Sequence, residues 1–252
     1  MAKLFFLLSG EHPTLPFSEL TAILEAEGYG HRVLGKWTQV VEVETETESV
    51  KSIEQKSAMT RVCSAELLNC EANVSKIFMS TRSLPLEELL GKGESFAVRI
   101  RRVRESASHI VGIELERKLG EIILDRVKGA KVNLKNPQKT FFGVFTENRF
   151  LFGLKLAEIF PKPFMERRPR KRPFFHPSAM PPKLARCMVN LAKPRSGELV
   201  VDPFCGTASI LIEAGLIGCR VMGFDVQRRM VSGSIRNLRH YGVEPEGMGV
   251  AD

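Results

Sequence analysis

Apolar residues run unbroken from Leu4 to Leu8 and stop at Ser9-Gly10, far short of the roughly 20 residues of a membrane span, so they predict a buried strand over 3–9. Over 16–27, Phe17, Leu20, Ile23 and Leu24 recur at helical spacing, with Ser18 or Thr14 as the cap and Gly28 as the stop. Alternation returns over 31–34 and 38–44, with Gly35-Lys36 as the hairpin turn between them, and 47–56 supplies a second helix. A strand over 62–70 follows. Helical spacing then continues through Ile77-Phe78 and Leu86 to Leu90, where Gly91-Lys92-Gly93 ends it.

A new unit opens at Phe96. Phe96, Val98 and Ile100 alternate with Ala97, Arg99 and Arg101, which describes a strand with one apolar and one basic face. Ser108 precedes a long amphipathic helix whose apolar positions are Ile110, Ile113, Leu115, Leu119, Ile122, Ile123 and Val127, closed by Gly129. Asn136-Pro137 marks a turn, and strands over 140–146 and 149–156 form a hairpin through Glu147-Asn148. This order suits an α+β module better than a Rossmann half. Over 161–177, five prolines alternate with Lys162, Arg167, Arg168, Arg170, Lys171 and Arg172, the composition of a basic linker. Beyond it, helices over 182–191, 208–216 and 227–241 alternate with strands over 199–202 and 220–225, and Val250-Ala251-Asp252 falls at or inside a third strand. That alternation predicts a parallel sheet with crossover helices.

The formal charge of +8 makes a polyanion the first partner to consider, without separating RNA from DNA or an acidic membrane. Arg99, Arg101, Arg102 and Arg104 form a basic edge suited to phosphates, or else a solvated strand face. Arg168, Arg170, Lys171 and Arg172, with Phe164, Phe174 and Phe175 nearby, suit an RNA backbone and a stacked base, or else a soluble hinge. The five cysteines contain no Cys-x-x-Cys pair, which argues against a disulfide framework or a zinc ribbon and for a reducing, cytoplasmic compartment. No metal and no membrane partner are expected.

The stretch from Glu198 to Thr207 is the most informative. It places Asp202 and a glycine turn at the carboxyl end of an apolar strand, where ligands of open α/β sheets bind. A dinucleotide site requires G-x-G-x-x-G there, and an acid in that turn repels phosphates. S-adenosylmethionine instead presents an ammonium and a sulfonium, which Asp202 attracts. Asp225, at the end of the next strand, is placed to accept ribose hydroxyls. Cys205 has no basic neighbour to lower its pKa and reads as a small turn residue rather than a nucleophile.

Asp202-Pro203-Phe204-Cys205-Gly206-Thr207, followed by Ile210-Leu211-Ile212-Glu213-Ala214, resembles the first motif of methyltransferases that modify exocyclic amines of RNA guanines. Arg172-Pro173-Phe174-Phe175-His176-Pro177-Ser178 and Pro182-Lys183-Leu184-Ala185-Arg186 resemble the segment before that motif in archaeal THUMP-domain tRNA (guanine-N2) methyltransferases, and 132–137 is similar to the THUMP signature. The resemblance implies an α+β N-terminal part, ferredoxin-like (1–58) plus THUMP (59–160), then a linker (161–175) and the first half of an α/β Rossmann-like methyltransferase domain (176–252). It also implies methylation of a guanosine N2 amine in tRNA, at position 10, with the THUMP domain on the acceptor end. Asp202, Phe204, Cys205, Gly206 and Thr207 would then line the methionine side of the cofactor, Asp225 the ribose and Asp252 the adenine amine, with His176 shaping the pocket. Ala208-Ser209 stands where many relatives have a glycine. The family's Asp-Pro-Pro-Tyr motif is absent from these 252 residues, so no catalytic residue is assigned and the chain alone is expected to be inactive. The competing readings are a non-catalytic RNA-binding module, a methyltransferase for ribosomal RNA or another tRNA position, and, third, a DNA amino-methyltransferase.

Overall fold

The computed structural model describes residues 1–251, so Asp252 lies outside the described residues. In chain order the elements are β1 (Ala2–Leu8), α1 (Leu15–Ala26), β2 (Arg32–Trp37), β3 (Val40–Thr45), α2 (Ser49–Lys56), β4 (Thr60–Glu71), α3 (Val74–Arg82), α4 (Leu86–Leu89), β5 (Ser95–Arg102), α5 (Gly112–Arg126), β6 (Lys131–Val132), β7 (Lys139–Thr146) and β8 (Arg149–Glu158). There follow α6 (Lys162–Glu166), a 3-10 turn (Pro169–Lys171), α7 (Pro182–Leu191), β9 (Leu199–Asp202), α8 (Ser209–Gly215), β10 (Arg220–Asp225), α9 (Arg228–His240) and β11 (Gly247–Val250).

The first compact unit comprises Met1–Leu8, His31–Thr47 and Arg61–Glu158. Its eight strands form one sheet in the order β2-β3-β1-β4-β8-β7-β5-β6. The strands expected in a separate 1–58 domain therefore share a sheet with the 59–160 strands. One apolar cluster joins Phe96, Phe141, Phe145, Phe150 and Phe152 to Leu115, Leu119 and Ile123 of α5. Another holds Phe5, Leu7, Val62, Phe142, Val144 and Leu151, as strand alternation requires when both faces are covered.

Two local expectations are corrected here. The β2–β3 turn falls at Thr38-Gln39, with Gln39 at φ +58°, and not at Gly35-Lys36. Gly35 lies inside β2 at a register irregularity, under the Trp37 ring, where a Cβ would come within 2.2 Å of that ring. Helix α5 begins at Gly112, so Ile110 is buried ahead of it and Ile113 is 76% exposed instead of facing the core.

The second unit comprises Ser9–Gly30, Glu48–Thr60 and Ile159–Asp252. Its three strands are parallel in the order β11-β10-β9, as the alternation of elements predicts. Leu211, Ile212, Val221, Leu238 and Val243 form its core with Val189 of α7. Helices α1 and α2 belong to this unit. The fully buried Glu19 carboxylate accepts hydrogen bonds from Ser57 Oγ (2.7 Å), Ala58 N (3.0 Å), Met59 N (2.9 Å) and Asn190 Nδ2 (2.9 Å), which satisfies a charge that burial would otherwise penalise. Of the two expected caps, Thr14 holds the N-cap position of α1, but its side chain makes no capping hydrogen bond. His12 Nδ1 accepts from Thr14 N and Leu15 N, both at 3.2 Å.

The proline-rich basic stretch is folded rather than a free linker. Glu213 of α8 is fully buried, and Arg167 donates to it through Nε (2.9 Å) and Nη2 (3.0 Å) while Arg186 reaches it at 2.8 Å. Phe164 lies beneath the Arg167 guanidinium, 4.8 Å from its ring centroid. A carboxylate buried in a helix needs such cations, and one comes from this stretch and the other from α7.

Candidate cofactor site and basic surfaces

Strands β9 and β10 run parallel with Asp202 paired to Gly223, so Asp202 and Asp225 stand together at their carboxyl ends. The turn after β9 is held by the Asp202 carboxylate, by the β10 backbone and by one bond of its own backbone. Asp202 Oδ1 accepts from Phe204 N (3.0 Å), Cys205 N donates to Phe224 O (2.8 Å), and Ala208 N donates to Cys205 O (2.7 Å). Asp225 Oδ2 accepts from Gly206 N (3.0 Å) and Oδ1 from Gln227 N (2.9 Å), which leaves a lone pair on each oxygen. Gly206 has φ +53°, and a Cβ there would meet nothing nearer than 4.0 Å, so the loop presents bare backbone to an open side. Ala208, with φ +61° at the start of α8, occupies a left-handed conformation that favours glycine, which accounts physically for the glycine expected there.

Burial raises the Asp202 pKa above the ordinary carboxylate range, with the Asp225 charge adding to it and the Phe204 N–H opposing. No cation pairs with either acid among the described residues. The Cys205 thiol is pushed up to about 11, chiefly by burial, so it is not a nucleophile at neutral pH.

Helix α9 holds this loop through two residues that the sequence reading missed. Ser234 Oγ donates to Gly206 O at 2.6 Å. Asn237, fully buried, accepts from Phe174 N (2.9 Å) and donates to Phe174 O (2.9 Å) and Thr207 O (3.1 Å), tying the segment before the motif to the motif itself. The available signal was two polar residues on the apolar stripe of α9, alongside Met230 and Leu238. His176, two residues past Phe174, is half-buried, and its Nδ1 lies 2.7 Å from Ser178 Oγ.

Several residues expected to meet RNA have other roles. Arg172 is buried, and donates from Nε to Arg167 O (3.0 Å) and from Nη1 to Ser209 Oγ (2.7 Å), so it cannot meet a phosphate. Phe164 and Phe174 are buried and cannot stack a base. The Phe174 ring fills the space left by Gly233, where a Cβ would stand 2.1 Å from it. Arg168, Arg170, Lys171 and Phe175 are exposed.

In the first unit, Arg102 donates to Ile110 O and lies over Phe145, and Arg104 is exposed at φ +50°. Arg99 donates to Leu134 O (2.6 Å), and Arg101 pairs with Glu158 (2.6 Å). Both line a cavity of about 340 Å³ with Lys135, Thr140, Phe142 and Lys155.

Two family models match the chain, the THUMP domain over residues 71–154 and the RMKL-like methyltransferase domain over residues 169–247. The tRNA (guanine(10)-N2)-dimethyltransferase of Methanothermobacter thermautotrophicus is 38% identical, covering 96% of this chain and 69% of its own length. The enzyme of the same description from Methanocaldococcus jannaschii is 35% identical, covering 94% of this chain and 70% of its own. The crystal structure of TrmN from Thermus thermophilus superposes with a TM-score of 0.60 at 21% identity, over 99% of this chain and 73% of that one, and so shares the fold. These features define an S-adenosylmethionine-dependent methyltransferase with a Rossmann-like domain and a THUMP domain. The chain belongs to the family of archaeal THUMP-domain tRNA (guanine-N2) methyltransferases.

Proposed function

We propose that this chain binds S-adenosylmethionine on Asp202, Phe204–Thr207 and Asp225 and serves methyl transfer to the exocyclic N2 of guanosine 10 in tRNA, as the names of its relatives describe for them. The observation that carries the cofactor assignment is the pair of strand-end acids, with no cation partner among the described residues, beside an open glycine turn. The donor set fits. Asp202, whose pKa is raised by burial and by the neighbouring Asp225 charge, is matched to an ammonium, and the free lone pairs of Asp225 to ribose hydroxyls. Bound there, S-adenosylmethionine supplies a methyl group on a sulfonium leaving group. A guanine amine is a weak nucleophile because its lone pair is conjugated with the ring, so orientation dominates the task of the protein. Asn237 and Ser234 contribute by fixing the carbonyls of Thr207 and Gly206, and His176 by shaping the approach beside them.

For RNA, Arg99 and Arg101, with Lys135 and Lys155 in the same cavity, are assigned to the acceptor end, Arg104 to a flanking phosphate, and Arg168, Arg170 and Lys171 to the backbone near the methylated base. The cavity and the exposure of the second group support this. Among the described residues no helix is long and apolar enough to cross a membrane, and the five cysteines, none of them in a disulfide, fit the reducing cytoplasm.

The test is methyl transfer from labelled S-adenosylmethionine to a tRNA transcript, and to the same transcript with adenosine at position 10, by a protein carrying this chain. Label is expected in the first and not the second. Equal label in both contradicts the position.

A further inference from the structure

Outside the residues assigned to the cofactor, the second unit carries a cavity of about 420 Å³, within the size range of small-molecule sites. Its floor is Met59 and Phe164, both buried, and its walls are Leu15, Pro181, Met165 and Leu184. Met165 is 58% exposed and Leu184 37%, so the apolar wall opens to solvent.

The rim is charged. Lys183 is paired with Glu11 at 2.5 Å, but the Arg168 guanidinium has no partner among the described residues, and exposed Arg170 and Lys171 follow it. An open apolar slot with an unpaired guanidinium at its lip matches a nucleotide, with the flat base taking the apolar contact and the phosphate taking the charge. The slot also borders the cofactor loop. Pro181 lines it, and the adjacent Met180 O accepts from Ser209 Oγ of the loop's helix at 3.1 Å.

We propose that this cavity receives one unstacked nucleotide of the RNA substrate, with its base against the exposed side chains of Met165 and Leu184 and its phosphate on Arg168. This rests on the RNA-modifying function proposed above, and adds a base-binding slot to it. A groove read only as a basic track binds phosphates without an apolar contribution, whereas this slot predicts one.

The experiment measures affinity for a tRNA transcript by fluorescence anisotropy across a salt series, with calorimetric S-adenosylmethionine binding to check that each variant is folded. The Met165→Ala, Leu184→Ala double variant is expected to lose about ten-fold in affinity with an unchanged salt slope, because it removes apolar contact with the base and no charge. Arg168→Ala is expected to weaken binding and lower the slope by about one. A fully paired RNA duplex, which offers no unstacked base, is expected to bind the double variant and the unsubstituted chain alike. Unaltered tRNA affinity in the double variant overturns the slot while leaving the RNA function standing. An equal loss with the duplex also overturns it. Failure of the unsubstituted chain to bind tRNA overturns both.

Discussion

Asn237→Ala tests whether α9 sets the geometry of the cofactor loop. The asparagine is fully buried and makes three hydrogen bonds, two to the Phe174 backbone and one to Thr207 O. At about 0.5–1.5 kcal/mol net for each bond, their loss costs the fold about 2–4 kcal/mol. Only one of the three reaches the cofactor loop, so about 1 kcal/mol falls on cofactor binding, or roughly a five-fold weaker affinity for S-adenosylmethionine. Stability is read by urea unfolding followed by far-UV circular dichroism, because the single tryptophan, Trp37, lies in the eight-stranded sheet and does not report on this unit. Affinity is read by calorimetric titration. Asn237→Asp keeps the acceptor for Phe174 N and loses both donors, so it should share the loss of affinity. A variant destabilised as predicted, yet with wild-type affinity at a concentration where it is fully folded, would refute the link between α9 and the loop.

Glu213→Gln leaves Arg167 and Arg186 facing one another without their buried anion and is expected to cost about 3–5 kcal/mol in urea unfolding; a loss below about 1 kcal/mol contradicts the assignment. In the first unit, burial, with the neighbouring Glu42 charge adding to it, pushes the Glu66 pKa up from 4.5 to about 7. A raised folded-state pKa means that this contribution to stability is complete below pH 4.5 and is lost as pH rises through 7; allowing for partial exposure it amounts to about 1–2 kcal/mol. Glu66→Gln should flatten the stability profile over that window, and an unchanged profile would show that another group is responsible. Cys205, buried and pushed up to about 11, should resist iodoacetamide at about pH 8 in the folded protein, and rapid alkylation there would reverse the reading of it as an inert turn residue.

The methyltransferase half was legible because its elements announce themselves locally. Helix α7 and strands β9 and β10 have the expected bounds, since short apolar strands between glycine and proline punctuation leave little freedom of register. The motif acids were legible for the same reason, both standing at strand ends. What escaped was set by tertiary packing. Gly35 reads as a turn until the Trp37 ring is seen lying over it. The segment 161–177 reads as a solvated hinge because nothing local shows that Glu213, 46 residues beyond Arg167, is buried and needs its guanidinium. The joining of the first strands to the THUMP strands in one sheet depends on long-range pairing, which no periodicity encodes. Ser234 and Asn237 were visible only as polar residues on a helix with a buried stripe, a signal that does not say what they bond.

The most direct test of the cofactor site is calorimetric titration of S-adenosylmethionine into this chain and into its Asp202→Ala, Asp225→Ala double variant. Two acids at the ends of β9 and β10 are predicted to carry the binding, so the unsubstituted chain should take up one equivalent and the double variant should show no binding heat. Equal affinity in both would contradict the assignment of the cofactor to these strand ends.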